Sequence, residues 1–571
     1  MQTKLTSTLL AAFAALSAHT ASADLSLISS ISANQPGGFS AGEITAFDSG
    51  TDRLFVTSSG TNVHRINIFD YSNPSVPSAI GTVDYSTTFG AATDMLGLSS
   101  VAVDPQGRFG VATLIPAANT TTLGKVGFFN LSNGALLGTA DVGYHPDSVS
   151  FSSDGSRLVI VNEGETNPLS LTNAPGSISV FNVSGINSGN LNTLASLTAT
   201  TRDFSAGNLA SGVSIANLRN HNTAAIGTSG TFIGAVPARG DATAEVIEPE
   251  YATISGDKVF VSLQENNAVA TYDLTSDKWV AVTDLGTREK LIDASDTGST
   301  INITQTVKGL PMPDTVASFA SGGKTYVVSA NEGDARVDDR DVSRLGDIAG
   351  NDSMNPILDA SFPTTQTGIR ANAELGKLNV SRLDGDTNAD GKIDTPVMLG
   401  TRDFAIYEQT SGGLVEVSNS GSFFEQYIRD NDAAGWQDGR SDDKGPEPEG
   451  LTVGVIDGRT YLFIGMERTA HIFQFDITDP VSPVFVDEFR LADGTNSPLR
   501  PEGFNFISAA NSPTGVPLLV IGFEGDGTAV GSERVVTLSV TGSAIPEPSS
   551  AAALAGLVTL GLVATRRRRA A

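Results

Sequence analysis

The sequence predicts an all-β protein: a β-propeller of seven blades with long loop insertions and a C-terminal transmembrane anchor helix. Three observations carry this. A unit of two or three short strands joined by turns recurs along the chain. Its apolar residues alternate or run in short β-branched blocks, which a helical repeat does not produce. The 571 residues exceed the usual size of a β-sandwich, and a sandwich leaves the recurrence unexplained.

Composition narrows the function. Lys and Arg total 35 against 63 Asp and Glu, a net charge of −28. Such a field repels nucleic acid and anionic membrane surfaces and favours cations. The absence of cysteine removes disulfides, thiolate metal sites and cysteine nucleophiles, and five His leave little for a His-rich metal site.

In chain order, residues 1–23 form a signal peptide. Lys4 supplies the positive start, Leu9 opens an apolar run ending at Leu16, and Ala21-Ser22-Ala23 fits the cleavage rule, so Asp24 begins the mature chain. Residues 24–543 form the propeller. Five units read most clearly: 146–182, 249–273, 313–333, 448–476 and 501–524. Two more, 43–70 and 99–130, lack the acidic pair described next. Segments 187–244, 334–395 and 425–446 interrupt the repeat as insertions. Loops of such length are functional or mobile. Residues 546–571 form the tail. Pro546-Glu547-Pro548 precedes an apolar stretch from Ala551 to Thr565 and then Arg566 to Arg569. As a helix the stretch spans roughly 22 Å against a hydrocarbon core of about 30 Å, a gap that flanking residues and snorkelling arginines close. The arginines stay cytoplasmic.

The recurring acids are the main chemical signal. Five units begin with Pro and an acid: Asp147, Glu250, Asp314, Glu449 and Glu502. In the same units the second strand runs into Glu163, Glu265, Glu332, Glu467 and Glu524, at separations of 16, 15, 18, 18 and 22. A hairpin returns each second acid to the level of its first, and a propeller gathers these ends around one channel rim. So many carboxylates do not stay ionised together without cations. Ca²⁺ takes six to eight oxygen ligands of this kind. The alternative is that each acid caps a turn through backbone N–H groups.

A second calcium-like segment is Asp386-Thr387-Asn388-Ala389-Asp390-Gly391-Lys392-Ile393-Asp394. Asp386, Asn388, Asp390 and Asp394 occupy ligand positions of an EF-hand-type loop and Gly391 its turn, but Val397 stands where the bidentate Glu belongs. An isolated Ca²⁺ loop and a plain acidic turn both fit. Catalytic motifs are thin: no Gly-x-Ser-x-Gly, Walker A or His-Glu-x-x-His sequence is present. His145, two residues before Asp147, and Arg336, beside Glu332, are the catalytic candidates. Arg336 suits a phosphate or carboxylate but equally an Asp neighbour, and Arg468 beside Glu467 shares that ambiguity. His471, within an alternating strand, reads as packing.

The strings Ala330-Asn331-Glu332-Gly333-Asp334-Ala335-Arg336, Leu263-Gln264-Glu265-Asn266-Asn267 and Pro446-Glu447-Pro448-Glu449-Gly450-Leu451 resemble the choice-of-anchor I family over residues 30–540. The resemblance implies a propeller-like body with interchangeable surface anchors. Some members are labelled alkaline phosphatase, without an assignment of catalytic residues to carry over. The tail resembles a PEP-CTERM sorting signal. That implies a Gram-negative, exopolysaccharide-producing setting, an exosortase-type processing enzyme besides signal peptidase, and a body anchored at or released from the cell surface. Two functions stay open. One is a calcium-dependent phosphoesterase. The other is a non-catalytic surface module that binds exopolysaccharide or neighbouring cells. The enzyme needs converging acids with a basic group at an open mouth; the module needs only closed calcium loops.

Overall fold

The computed structural model describes residues 25–32, 42–60, 63–164, 174–219, 242–298, 300–335, 342–348, 357–388, 390, 392–491, 499–525 and 532–542. The signal peptide and the tail lie outside them, as do Arg336, Ala389 and Gly391. Among the described residues no helix is long and apolar enough to cross a membrane.

The chain is all-β and propeller-like. Among the described residues, seven sheets share one antiparallel order of four strands, spanning 45–84, 101–141, 146–203, 252–284, 316–419, 448–490 and 501–540. The second of these also gains the short strand Met95–Gly97. The last takes its outer strand from the other end of the chain, where Leu25–Ser32 pairs antiparallel with Arg534–Val540. First strands touch in sequence order, and the strand beginning at Pro501 touches that beginning at Thr45, which closes the circle. This arrangement leaves a central channel lined by residues of first strands, among them Ala46, Val101, Ser148, Ala252, Val316, Leu451 and Phe504.

Second and third strands are buried on both faces between neighbouring sheets, so they read as continuous apolar runs. Leu158, Val159, Ile160 and Val161 are fully buried, as are Leu518 to Ile521. Each such side chain contributes roughly 1.5–3 kcal/mol through burial.

Three features differ from the sequence expectation. The predicted insertion 187–244 contains Thr200–Asp203, the fourth strand of its sheet. Its residues are polar and half exposed, so no alternation marked it. The insertion 334–395 enters between the second and third strands of one sheet, and Lys324–Asn331 pairs with Asp403–Thr410 across it. It has its own core of Leu345, Ile348, Leu375, Leu378 and Ile393, joined by Ile292 and Val307. The segment 425–446, expected as loop, overlaps the helix Phe423–Asn431. Phe424 and Ile428, one turn apart, bury against Phe473 and Phe475 of the next sheet.

Buried ion pairs join segments outside the seven sheets to one another and to the propeller. Arg219 Nε meets Asp384 Oδ2 at 2.8 Å, Arg402 Nη1 meets Glu425 Oε1 at 2.6 Å, and Lys290 Nζ meets Asp403 Oδ2 at 2.7 Å. None of these six side chains is more than 3% exposed.

Candidate functional site

Three of the first-strand acids sit at an irregularity of their strand. The register of the sheet shifts between Pro146 and Val149, between Pro448 and Leu451, and between Pro501 and Phe504. Each interval holds the acid: Asp147, Glu449 or Glu502. A bulge re-aims a side chain away from the regular alternation. The residue before the proline is left-handed in four units: His145 (φ 45°), Met312 (φ 48°), Glu447 (φ 57°) and Arg500 (φ 51°). A residue preceding proline prefers extended backbone. Four non-glycine residues in this state mark strain repeated at one end of the molecule.

The glycine that follows two of the acids has a steric reason. A Cβ on Gly450 would lie 1.8 Å from the carbonyl oxygen of Glu502, and one on Gly503 would lie 2.5 Å from that of Glu43. Adjacent first strands therefore approach closely where their acids project.

The result is a cavity of about 380 Å³ at one end of the channel. Asp147, Glu163, Glu250, Asp314, Glu332, Asp334, Glu449, Glu467 and Glu502 line it, with Tyr251, Gln264, Lys444 and Arg468. Of the ten rim acids proposed from sequence, eight are here. Glu265 and Glu524 stand close behind and raise the pKa of Glu250 and Glu502 respectively.

The two sets of acids differ in their partners. Four of the five second-strand acids meet bases. Glu163 Oε2 is 3.1 Å from His145 Nδ1, and Glu332 Oε1 accepts from Lys444 Nζ at 2.7 Å. Glu467 Oε1 is 2.6 Å from Arg468 Nη1, and Glu524 Oε2 is 3.2 Å from Arg500 Nη1. His145 and Arg500 are the strained residues preceding the proline of their own units. Met312 carries no charge at that position, and Lys444 from the insertion serves Glu332 instead. Among the described residues no ion pair reaches Asp147, Glu250, Asp314, Glu449 or Glu502. Instead Glu250 lies against Asp314, and Glu449 against Glu502, within hydrogen-bonding contact of one another. Glu250 Oε2 and Glu449 Oε2 are buried oxygens that no donor meets.

The electrostatics follow. Burial first, then Glu265 and Asp314, pushes Glu250 well up. Burial, then Glu502 and Glu467, does the same to Glu449. Asp147 rises to about 6, chiefly by burial, with His145 opposing. Glu467 rises to about 9 through burial and then Glu447 and Glu332. Glu447 goes the other way: burial opposes ionisation, but Lys444, Arg440 and Arg468 hold it down at about 2.

Two groups of carboxylates bring their oxygens within 4.8 Å of one another: Asp314, Glu332 and Glu449, and Glu332, Glu447 and Glu467. The second already lies against Lys444 and Arg468, so a cation entering there competes with fixed ones. The first includes two acids that no ion pair reaches, and one of them, Glu449, keeps an oxygen without a donor. Its all-oxygen donor set suits a hard cation of the Ca²⁺ type.

The sequence reading missed Glu43, Glu447 and Lys444. Glu43 opens the first unit, which was read as lacking the acidic pair. Its pKa rises to about 8 through burial and then Glu524 and Asp147, which puts it on the same rim. Its place two residues before the strand Thr45–Asp48 was the available signal. Glu447 and Lys444 stood in plain view beside Glu449, but nothing local says that an insertion folds back over the mouth. Outside the rim, the oxygens of the 386–394 loop accept from the loop's own backbone. Asp394 accepts from the N–H of Thr387 at 2.9 Å and of Asn388 at 3.2 Å, and Asp386 and Asn388 both accept from that of Asp390. Asp390 accepts from the N–H of Lys392 at 3.0 Å.

A family model described as the choice-of-anchor I domain matches residues 43–480. Gigasin-3a of Magallana gigas is 30% identical over an alignment of 28% of this chain and 64% of that protein, so the chain spans under two thirds of that relative. Among solved structures, hydrazine synthase of Kuenenia stuttgartiensis is similar at 12% identity and a TM-score of 0.43, over 88% of this chain and 96% of that one. A periplasmic gluconolactonase of Pseudomonas aeruginosa is similar at 10% identity and a TM-score of 0.39, over 79% and 86%.

Proposed function

This chain belongs to the choice-of-anchor I family, which is surface-associated and β-propeller-like, and from that premise we propose that it is an exported, seven-bladed, calcium-binding propeller that hydrolyses phosphoesters at its acidic channel mouth. The observation that carries the reading is the meeting of Asp314, Glu332 and Glu449 with Lys444 and Arg468 at one cavity. Converging acids with basic groups at a mouth are what a metal-dependent phosphoesterase needs and what a closed structural calcium loop lacks.

Asp314, Glu332 and Glu449 would hold the cation. When bound, it supplies a Lewis acid for a phosphoryl oxygen and a water of lowered pKa. Lys444 and Arg468 draw an anionic ester into a rim that otherwise repels it. Their present bonds to Glu332, Glu447 and Glu467 fix their positions and keep their charge. Glu449 and Glu502, pressed together, would share a proton when no cation is bound. The tail serves as an anchor addressed to an exosortase-type enzyme.

One observation favours the second reading, a non-catalytic surface module. Lys444 and Arg468 are both engaged by carboxylates, so a phosphate has to compete for them. Hydrolysis of a phosphoester panel by the mature chain, with and without Ca²⁺, decides. Ca²⁺-dependent turnover that is lost in Glu332→Gln with Glu449→Gln supports the enzyme. Ca²⁺ binding without turnover on any ester leaves the module.

A further inference from the structure

Among the described residues, Lys444 is the one base that pairs with any of Asp314, Glu332 and Glu449. Its Nζ lies 2.7 Å from Glu332 Oε1, 3.2 Å from Asp334 Oδ1 and 3.5 Å from Glu447 Oε2. The backbone on either side of it is pinned to the buried Arg402. The carbonyl of Asp443 accepts from Arg402 Nη2 at 2.8 Å, and a Cβ on Gly445 would lie 2.8 Å from Arg402 Cδ. The four-carbon stem is therefore the part of Lys444 that can move.

Both oxygens of Glu332 already have a donor, because Oε2 accepts from Gln264 Nε2 at 2.9 Å. Gln264 is neutral, and a carboxylate oxygen has lone pairs for a donor and an ion together, so that bond survives a cation. The ammonium is different. A Ca²⁺ ion about 2.3–2.6 Å from Glu332 Oε1 would stand within about 5 Å of Nζ, and like charges in a buried site repel with little screening. An alternative partner is already in contact: Asp334 is half exposed, whereas Glu332 is buried. Glu447 does not hold the lysine back, since Arg440 and Arg468 take its two oxygens at 2.6 and 3.0 Å. A compact ammonium on a flexible stem suits such an exchange better than the planar fork of Arg468, which is fixed between Glu447 and Glu467.

We propose that Lys444 is a tethered competitor for the cation. It neutralises Glu332 when no cation is bound, and cation binding displaces it to Asp334 at the lip, where its ammonium meets an incoming phosphate group. This rests on the reading of the mouth as a cation site. It makes cation and ester binding cooperative, because the ion that occupies the acids also releases the base, and the coupling is reciprocal.

The test reads Ca²⁺ affinity and lysine reactivity rather than turnover. In calorimetric titration of the mature chain, Lys444→Met should tighten Ca²⁺ binding about tenfold or more. Asp334→Asn should weaken it in the wild type but change it by less than about twofold in the Lys444→Met background, since its partner is then gone. Reductive methylation of the unmutated chain, read by mass spectrometry at Lys444, should be slow with chelator and several-fold faster with saturating Ca²⁺, and this arm does not depend on any variant folding. Equal or weaker affinity in Lys444→Met, or a methylation rate at Lys444 that ignores Ca²⁺, would overturn the proposal. If Glu332→Gln nonetheless abolished Ca²⁺ binding, the cation site itself would stand. Absence of Ca²⁺ binding by both the wild type and Lys444→Met would overturn the cation site along with the competitor.

Discussion

The insertion seam and the channel rim both bury charge, and they treat it in opposite ways. At the seam each buried acid meets a base: Asp384 with Arg219, Glu425 with Arg402, Asp403 with Lys290. Arg402 also donates to the carbonyls of Asp293, Ser441 and Asp443, so its guanidinium is satisfied on several sides. At the rim the inner acids face one another. Glu250 lies on Asp314 and Glu449 on Glu502, and two of their oxygens have no donor. The seam is what a fold does with charge when structure is the only demand. The rim retains repulsion that the same chain shows it can neutralise, which points to a ligand rather than to folding.

Breaking the seam should give the largest effect. Arg402→Met strands Glu425, which is 2% exposed, and removing one partner of a buried pair costs about 3–5 kcal/mol. The unfolding midpoint in urea should fall accordingly, with Ca²⁺ affinity unchanged. A smaller loss would mean that the seam is as loosely compensated as the rim.

The next effect belongs to the rim and has a sign. Glu43, Glu332 and Glu467 have folded-state pKa values of about 8, 7 and 9, raised from 4.5. Between those limits the folded state holds protons that the unfolded chain has released. Metal-free stability should therefore be full below pH 4.5 and fall as pH rises through 7 to 9. Ca²⁺ at a hundred times its Kd should add about 2.7 kcal/mol and flatten that decline. Melting curves across pH, with and without chelator, measure both. A metal-free protein whose stability rises over this interval would contradict the rim's charge state.

Glu449→Gln sharpens the contrast further. Removing one of the facing carboxylates should raise the metal-free melting point by about 1–2 °C and abolish most of the Ca²⁺-induced rise. The equivalent change at the seam, Glu425→Gln, should lower it.

The smallest effect is expected at the 386–394 loop. Asp390 is exposed and its oxygen serves the N–H of Lys392. Asp390→Ala should move the melting point by less than about 1 °C and leave the rim's Ca²⁺ titration intact. A loss of rim binding would show that the two are coupled.

Much of this was legible along the chain. The repeating strands declared the all-β class, because apolar runs between turn residues have few other uses. Proline with an acid at five of the seven first strands, and glutamate after the second strand of the same units, marked the rim, because a hairpin obliges its two ends to meet. The strand Thr200–Asp203 was not legible, since an exposed edge strand has no apolar signature. Nor was the helix Phe423–Asn431, too short to establish a period within an acidic segment.

The sequence alone determined which residues carry charge and at what interval they return, because both are local properties of the repeat. Tertiary structure decided which charges are compensated. Lys444 reaches Glu332 across 112 residues, and Asp432 reaches His471 only because a helix packs onto the next sheet. Glu447 is a base-paired acid and Glu449 an unpaired one, two residues apart, because a left-handed residue and a bulge turn their side chains to different neighbours. Coulomb energy falls with distance through space, and distance through space is what the fold supplies.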